Sequence, residues 1–412
     1  MSVTTPPKPT TPASRRRAGS VLRPDAAFAG VSIGMATIFV ASGAPTPLLL
    51  LDQGAWHFAS WTLTLAFGVY AFGLLASLLV VGSLSDHLGR RPVLIGSLIG
   101  EIVAMLMFLW AGDIGWVIAA RVLQGLATGA ATSAFSAAVV ELAPAHRKRM
   151  GAVVGSLAPA GGLGLGALLA GAVAQFSHHP NAVVWGALAI LMAAAAVVAA
   201  LAPETVTPRP GAVGSLAPRV SVPRRARREF GGVAAPLIAG WMMAALFMGL
   251  VPTILASIFG VHSPFADGAT AFIEPAVAAI TALVVGRLAA RRAIILGAAA
   301  SVAGAGLVLL SVTSGVLPVL WAGGILGGIG FGATFSGAFR AVLPLAEAHE
   351  RAGLFAGIYL VAYLAFGVPA IISGLLLAPL GLLPVVVGFA IVIVGAAAAG
   401  LGIQVRLSRR RP

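Results

Sequence analysis

Three charged side chains lie deep inside long apolar stretches of this 412-residue chain: Glu101, Arg121 and Glu274. In a bilayer an Arg near the middle of a helix costs about 2.5–3.5 kcal/mol on insertion scales, so it needs a partner, a cavity or a way out to the interface. Arg121, Gln124, Thr128 and Thr132 follow at i, i+3, i+7 and i+11, on one face of a helix otherwise rich in Ala and Gly. That stripe is the leading candidate for a cavity wall, and an Arg that snorkels outward is the alternative. Glu101, on the preceding apolar run, differs from Arg121 in depth by about three residues, or roughly 4.5 Å. We therefore expect an ion pair that protonation would release, with a purely structural pair as the other reading. Glu274 is the only acid inside the apolar runs of the second half, and the one place there where a proton or cationic group would find a counter-charge.

Other chemistry is excluded or disfavoured. The chain has no Cys, which removes disulfides, thiolate metal sites and Cys nucleophiles. His57, His87, His146, His178, His179, His262 and His349 are scattered over loops, and no His-x-x-x-His or paired-carboxylate motif falls within an apolar run, so an enzyme or metal centre is not expected. A Gly-x-x-x-x-Gly-Lys-Ser/Thr loop is also absent, which argues against ATP as a direct energy source. No cofactor is expected.

The elements that must position these residues follow from composition. Hydrophobic residues make up 59% and charged residues 9% of the chain, against about 25% charged in soluble domains, and the mean hydropathy is +1.01. A bilayer core of about 30 Å needs roughly 20 apolar residues in helix. Such runs occur at 27–51, 61–84, 92–111, 115–141, 151–175, 182–202, 233–258, 268–286, 293–313, 317–339, 352–377 and 380–404. None alternates like a barrel strand, so an all-α integral membrane fold of twelve helices is predicted.

The net charge of +14 at first suggests a nucleic-acid partner, but its placement argues against one. Apart from Arg121, every Lys and Arg lies in a terminal segment or in a loop on one side: Arg90 and Arg91, Arg147 to Arg149, Arg209 to Arg228, Arg287 to Arg292, Arg340 and Arg351. Opposite loops carry Asp52, His57, Asp113, His178, His179, His262 and Asp267 and no Lys or Arg. The positive-inside rule thus predicts that both termini are cytoplasmic. Lys occurs only at positions 8 and 148, an Arg bias that suggests a GC-rich bacterial genome and hence the inner (plasma) membrane. Trp56, Trp61, Trp110, Trp116, Trp185 and Trp321 fall near predicted outer helix ends, as an interfacial belt would place them, whereas Trp241 lies inside span 7.

The chain reads as a disordered cytoplasmic tail at 1–24, a six-helix bundle at 25–202, a Pro- and Arg-rich cytoplasmic linker at 203–232, a second six-helix bundle at 233–404 and a basic tail at 405–412. The halves are related. Val80-Val81-Gly82 with Arg90-Arg91 recurs as Val284-Val285-Gly286 with Arg291-Arg292, Gly125 and Gly129 recur as Gly328 and Gly332, and Gly164 and Gly171 recur as Gly367 and Gly374. Parallel six-helix repeats are the plan of a large class of secondary transporters.

The loop Gly82-Ser83-Leu84-Ser85-Asp86-His87-Leu88-Gly89-Arg90-Arg91 resembles the signature of the major facilitator superfamily between its second and third helices. Gly82 suits close helix packing and Gly89 a tight turn, while Asp86 at a helix end can pair with Arg across the seam between halves, as a gating latch. His87 stands where the family usually has Arg or Lys, and the copy at Gly286–Arg292 lacks the Asp. Glu141 is expected to pair with Arg90 or Arg147. Arg121-Val122-Leu123-Gln124-Gly125 resembles the family's fourth-helix motif, which implies a role for Arg121 in proton coupling or substrate contact. The resemblance also makes Trp241, Met242 and Phe247 of span 7 and Tyr359 and Tyr363 of span 11 cavity-lining, with plain helix packing as the alternative. Pro159, Gly161 and Gly162 resemble, one residue short, the span-5 motif of the family's antiporter branch, and with Gly125 and Gly129 are read as conformational positions.

The resemblance implies a monomeric secondary transporter that works by alternating access on a small molecule, with the proton gradient as energy source. Export of a small amphipathic molecule is the expected function. Proton-coupled uptake of a sugar or organic acid is the alternative, and a membrane-embedded enzyme a remote one.

Overall fold

The computed structural model describes residues 22–408 other than 219, 348 and 349. Most of the 1–24 tail, Arg219, His349 and Arg409 to Arg411 lie outside the described residues. Among the described residues, twelve helices are long and apolar enough to cross a membrane: α1 Pro24–Trp56, α2 Ser60–Val81, α3 Arg90–Leu109, α4 Ile114–Leu142, α5 Lys148–Phe176, α6 Pro180–Leu201, α7 Arg227–Gly249, α8 Pro264–Arg287, α9 Ala290–Ser314, α10 Leu317–Leu345, α11 Arg351–Leu380 and α12 Leu382–Gln404. No strand occurs among the described residues. α1 to α6 share one hydrophobic core, and a second joins α7 to α12 with Ala71 of α2 and Ala167 of α5.

Local chemistry sets the ends. Pro24, Pro180 and Pro264 occupy first-turn positions, where a missing N–H is harmless. Asp113 caps α4, its Oδ1 accepting from the amides of Gly115 at 2.7 Å and Trp116 at 3.1 Å. Gly260, Gly315 and Gly381 end helical segments at positive φ, where a side chain would be strained. Several helices outrun their apolar windows: α7 starts at Arg227, inside the expected 203–232 linker, and the α12 helix continues to Ser408, into the expected tail. Polar turns at the interface keep water on their backbones and so need no apolar partner.

α1 is broken once. Its helix ends at Gly43 and restarts at Pro45, because Pro45 and Pro47 have no N–H to give the carbonyls four residues earlier. The belt expectation fails for one residue: Trp185 is 3% exposed and stacks on Phe108 with ring centroids 4.4 Å apart, while Trp110 and Trp116 are exposed.

The two bundles meet along α5 with α8 and along α2 with α11. Both seams are tight at the end opposite the basic loops. A Cβ at Gly171 would overlap the carbonyl of Pro264, one at Gly164 would lie 3.2 Å from Phe272, one at Gly161 3.7 Å from Ala279, and one at Gly155 would meet nothing within 4 Å. On the other seam a Cβ at Gly374 would overlap Thr64, and one at Gly68 would overlap Ile371. Ser263 donates to Gln175 Oε1 across the halves at 2.9 Å, also at this end. Pro45–Trp56 packs on α8 there as well. The molecule is closed at this outer end and parted at the basic end.

The conformational glycines divide by contact. Gly125 and Gly129 bring α4 onto the carbonyls of Tyr70 and Leu74 in α2, and Gly162 sits against Phe39 and Ala36 of α1. Gly161 makes only ordinary contact, and Pro159 lies within an unbroken α5. Gly82 faces the carbonyl of Leu78 in its own helix, so the expected helix–helix contact is not what it serves. Gly125→Val is expected to push α4 from α2 and cost about 1–3 kcal/mol, read as a lower temperature at which the monodisperse chromatographic peak is lost on heating. Gly155→Ala should leave that temperature unchanged.

Candidate functional site

Arg121 does not snorkel. It is 1% exposed, inside the first bundle, with Gln124 and Thr128 fully buried and Thr132 nearly so. Its guanidinium donates from Nη1 to Gln124 Oε1 at 2.6 Å and to the Ser42 carbonyl at 3.4 Å, and from Nε to the Ala66 carbonyl at 3.1 Å. Its carbon Cζ lies 4.1 Å from the centroid of the Tyr70 ring and 5.5 Å from that of Phe67. Gln124 Nε2 in turn donates to the Ala41 carbonyl at 3.0 Å.

The break in α1 explains the acceptor that Gln124 uses. Ala41 precedes Pro45 by four residues, so its carbonyl has no intrahelical donor, and Gln124 supplies one. The end of the first α1 segment also presents the negative end of a helix dipole to Arg121. The cation is held by carbonyls, a dipole and two ring faces rather than by a carboxylate. The stripe therefore packs against α1 and α2 instead of forming an open cavity wall. Pro45-Thr46-Pro47 was the available sequence signal.

The expected Glu101–Arg121 pair is not formed. Glu101 is fully buried and accepts from Thr128 Oγ1 at 2.6 Å, seven residues along α4 from Arg121, about 10 Å away in helical rise. Cα–Cβ bonds tilt toward the N-terminus of a helix. α3 and α4 are antiparallel, so Arg121 leans toward the outer end and Glu101 toward the basic end, and the two diverge. The outcome is one buried network down α4 that reaches α1 through Gln124 and α3 through Thr128.

In the second bundle Glu274 is fully buried, facing α7 and α10 beside Met243 and Gly327, and neither carboxyl oxygen has a hydrogen-bond partner. Trp241 meets Phe331, Phe335, Tyr363 and Phe366, with the Phe331 and Tyr363 centroids 5.0 Å and 4.9 Å away. From there a ladder of half-buried rings descends between α10 and α11 toward the basic end: Tyr363 on Tyr359, Tyr359 with Phe335 and Phe339, and Phe339 with Phe355. The i, i+4, i+8 spacing of Phe331, Phe335 and Phe339 was its unread signal. Met242 and Phe247 belong to the packed core instead, Phe247 lying against Gly324.

The loop signature is assembled within one bundle. Arg90 binds Asp86 at 2.5 Å and grips Glu141 through two nitrogens, at 3.0 Å and 3.3 Å. Gly89 turns at φ +100°. The expected bond from Asp86 across the seam is absent, since the seam is parted at this end and the Asp86 side chain is 57% exposed. A residue the motif does not include completes the cluster. Glu204, just after α6, accepts from the amides of Arg90 at 2.9 Å, Arg91 at 3.0 Å and Val206 at 3.1 Å, capping α3 from the linker. Thr205 donates to Glu141. At the matching place in the second bundle, Arg340 donates to the carbonyls of Val285 and Gly286 at 3.0 Å and 3.3 Å and to that of Leu288, a basic clamp where the motif lacks its Asp.

The linker is fastened at both ends to different bundles. Residues 204–215 bind the first, through Glu204, Arg209 N–H on the His87 carbonyl and Ser83 on the Ser215 carbonyl. Ser221 and Arg225 bind the second, Arg225 on Glu347 and Glu350, two carboxylates that raise its pKa.

Gln124→Leu keeps the side-chain volume close while stranding the Ala41 carbonyl and one Arg121 donor. It is expected to cost about 1–3 kcal/mol for each stranded group, seen as a marked fall in thermal stability that Gln124→Leu in a Pro45→Ala background partly reverses.

The comparisons fit this architecture. Among solved structures, a mutant of the nucleoside transporter NupG superposes with a TM-score of 0.69, covering 92% of this chain and 99% of that one at 14% identity, a likeness of fold. A triacylglyceride transporter of Mycolicibacterium hassiacum is 31% identical over 118 residues, which is 28% of this chain and 22% of that protein. The chain thus matches only about a fifth of the length of that curated relative. Residues 26–317, more than half of the chain, match the Major Facilitator Superfamily as a family. With twelve helices among the described residues long and apolar enough to span a membrane, in two six-helix bundles, the chain belongs to the Major Facilitator Superfamily of membrane transporters.

Proposed function

We propose that this protein exports a small amphipathic molecule across a bacterial inner membrane, driven by inward proton flow, with its basic end and both termini in the cytoplasm. The aromatic ladder from Phe355 to Trp241 carries the reading. It offers stacking surface, with the Tyr hydroxyls as polar handles, from the parted basic end to mid-membrane, which suits a partly apolar solute entering from the cytoplasmic side. The partial likeness to a triacylglyceride transporter is in keeping with an apolar moiety in the substrate.

Coupling falls to the buried ionisable groups. A charge without compensation is expensive in so dry a site, so a carboxyl such as Glu274, or Glu101 with its single Thr128 bond, changes its protonation only as its surroundings change. Alternating access supplies that change by exposing each group to one side and then the other. Arg121 is the fixed cation of the first bundle, and its displacement from the α1 break would signal the altered state. No cofactor takes part, and a single chain contains the whole path.

Transport is tested with a labelled compound panel in everted vesicles under an imposed proton gradient. Accumulation of amphipathic compounds is expected, at least tenfold lower in Arg121→Ala, and with a raised KM but little change in maximal rate in Trp241→Ala. Gradient-driven movement of a sugar or organic acid in the opposite direction would instead establish uptake. Full activity in Arg121→Ala would remove the central site assignment.

A further inference from the structure

An apolar groove of about 500 Å³ lies where the α5–α8 seam parts, lined by α1, α5 and α8, and therefore by both bundles. Ser32 and Ile33 of α1, Leu157 and Gly161 of α5, and Ala276 and Ile280 of α8 form its walls. Its volume is in the range of about 300–1,000 Å³ typical of small-ligand pockets. Ile33 and Ile280 are 64% and 60% exposed at its rim, within membrane-spanning helices, so the groove opens sideways to lipid. Gly161 marks its inner end, where a Cβ would lie in ordinary contact with Ala279 of α8, whereas one at Gly155, toward the basic end, would meet nothing within 4 Å; the buried Ser32 hydroxyl oxygen has no partner.

Each lining helix carries an exposed basic residue on the basic-end side of the groove: Arg23 before Ser32, Arg149 before Val154 and Arg287 after Ile280. These stand roughly 7–14 Å from the groove in helical rise, the offset of a headgroup from its own chain. None of the three is in an ion pair among the described residues. Apolar groove and cationic rim together match one ligand chemistry, an anionic headgroup above a hydrocarbon chain.

We propose that the groove is a binding site for an anionic phospholipid of the leaflet on the basic side, with one acyl chain lying between α1, α5 and α8 and the phosphate among Arg23, Arg149 and Arg287. The site exists only while the seam is parted at this end, so an occupied groove favours the basic-end-open state. The inference needs the two-bundle architecture but neither the identity nor the direction of the transported molecule, and its readout is binding rather than transport, so either reading can fail alone.

The test uses the full-length protein in vesicles doped with phosphatidylglycerol or phosphatidylcholine carrying a mid-chain diazirine, followed by illumination and peptide mapping. With the phosphatidylglycerol probe, labelling of peptides containing Leu157 and Ala276 is expected to exceed that at the lipid-facing Ile190 and Ile391 by about fivefold or more, an affinity difference of about 1 kcal/mol. Ala276→Trp, which fills the groove, and Ile280→Trp, which blocks its rim and disturbs no core contact, should both bring it to the Ile190 level. Arg149→Gln with Arg287→Gln should abolish the preference over phosphatidylcholine. Uniform labelling of all lipid-facing positions would overturn the site, and equal labelling by the two probes would overturn the anionic-lipid assignment.

Discussion

Backbone-to-backbone approach at glycine is the constraint on which this molecule depends. In hydrocarbon, helices gain little from burying apolar surface against one another, so association rests on close packing of small residues. Gly171 against the backbone of Pro264 and Gly268, and Gly374 against the backbone of Trp61 and the side chain of Thr64, bring the two bundles together at the outer end. Toward the basic end the same helices carry no such pairing: Gly155 of α5 has nothing within 4 Å, and Gly357 of α11 contacts Phe230 of its own bundle. The bundles are therefore tied at one end and parted at the other, while the linker, anchored by Glu204 to one and by Arg225 to the other, spans the parted end. A rigid-body rocking motion needs such an arrangement, in which the contacts between bundles run mainly along two helix pairs, α5 with α8 and α2 with α11.

Within the first bundle the same demand for internal satisfaction governs Arg121. The helix break at Pro45 frees the Ala41 carbonyl, Gln124 donates to it and accepts from Arg121, and so a local defect in α1 and a costly cation in α4 are satisfied by one network. Glu101 joins through Thr128 and not through Arg121 itself. The second bundle balances its polar groups differently. Its buried carboxyl, Glu274, is surrounded by small and apolar side chains, and its aromatic residues form the ladder. The two bundles thus carry unlike chemistry, a buried cation in one and a buried carboxyl with an aromatic ladder in the other.

Much of this was legible in the chain. Helix number follows from hydropathy, because a bilayer imposes the length of each apolar run on any sequence. Arg121 stands out because a buried cation is expensive. Its partners do not, since depth counted along two antiparallel helices ignores the opposite tilt of their side chains, and that tilt separates Glu101 from Arg121. Asp86 was misread for a related reason: whether it reaches across a seam depends on which end is open, a property of the state and not of the motif. The Phe331, Phe335 and Phe339 series does not stand out, because an i, i+4 ring spacing is the same in an ordinary packed helix face and in a ladder between helices. Glu204 lies outside any motif and is recognisable only once α6 is seen to end beside the start of α3.

The central claim is that the two bundles are joined by separable seams, closed at the outer end and open at the basic end in this state. Pulsed electron spin resonance distances in lipid nanodiscs test it most directly, with one label pair on Met150 and Val284 at the basic end and another on Phe176 and Phe265 at the outer end. The account predicts two populations in which a long basic-end distance accompanies a short outer-end distance and the reverse, with Gly374→Val shifting weight away from the outer-closed form. Distances at both ends that stay single and fixed, or that lengthen together, would contradict it.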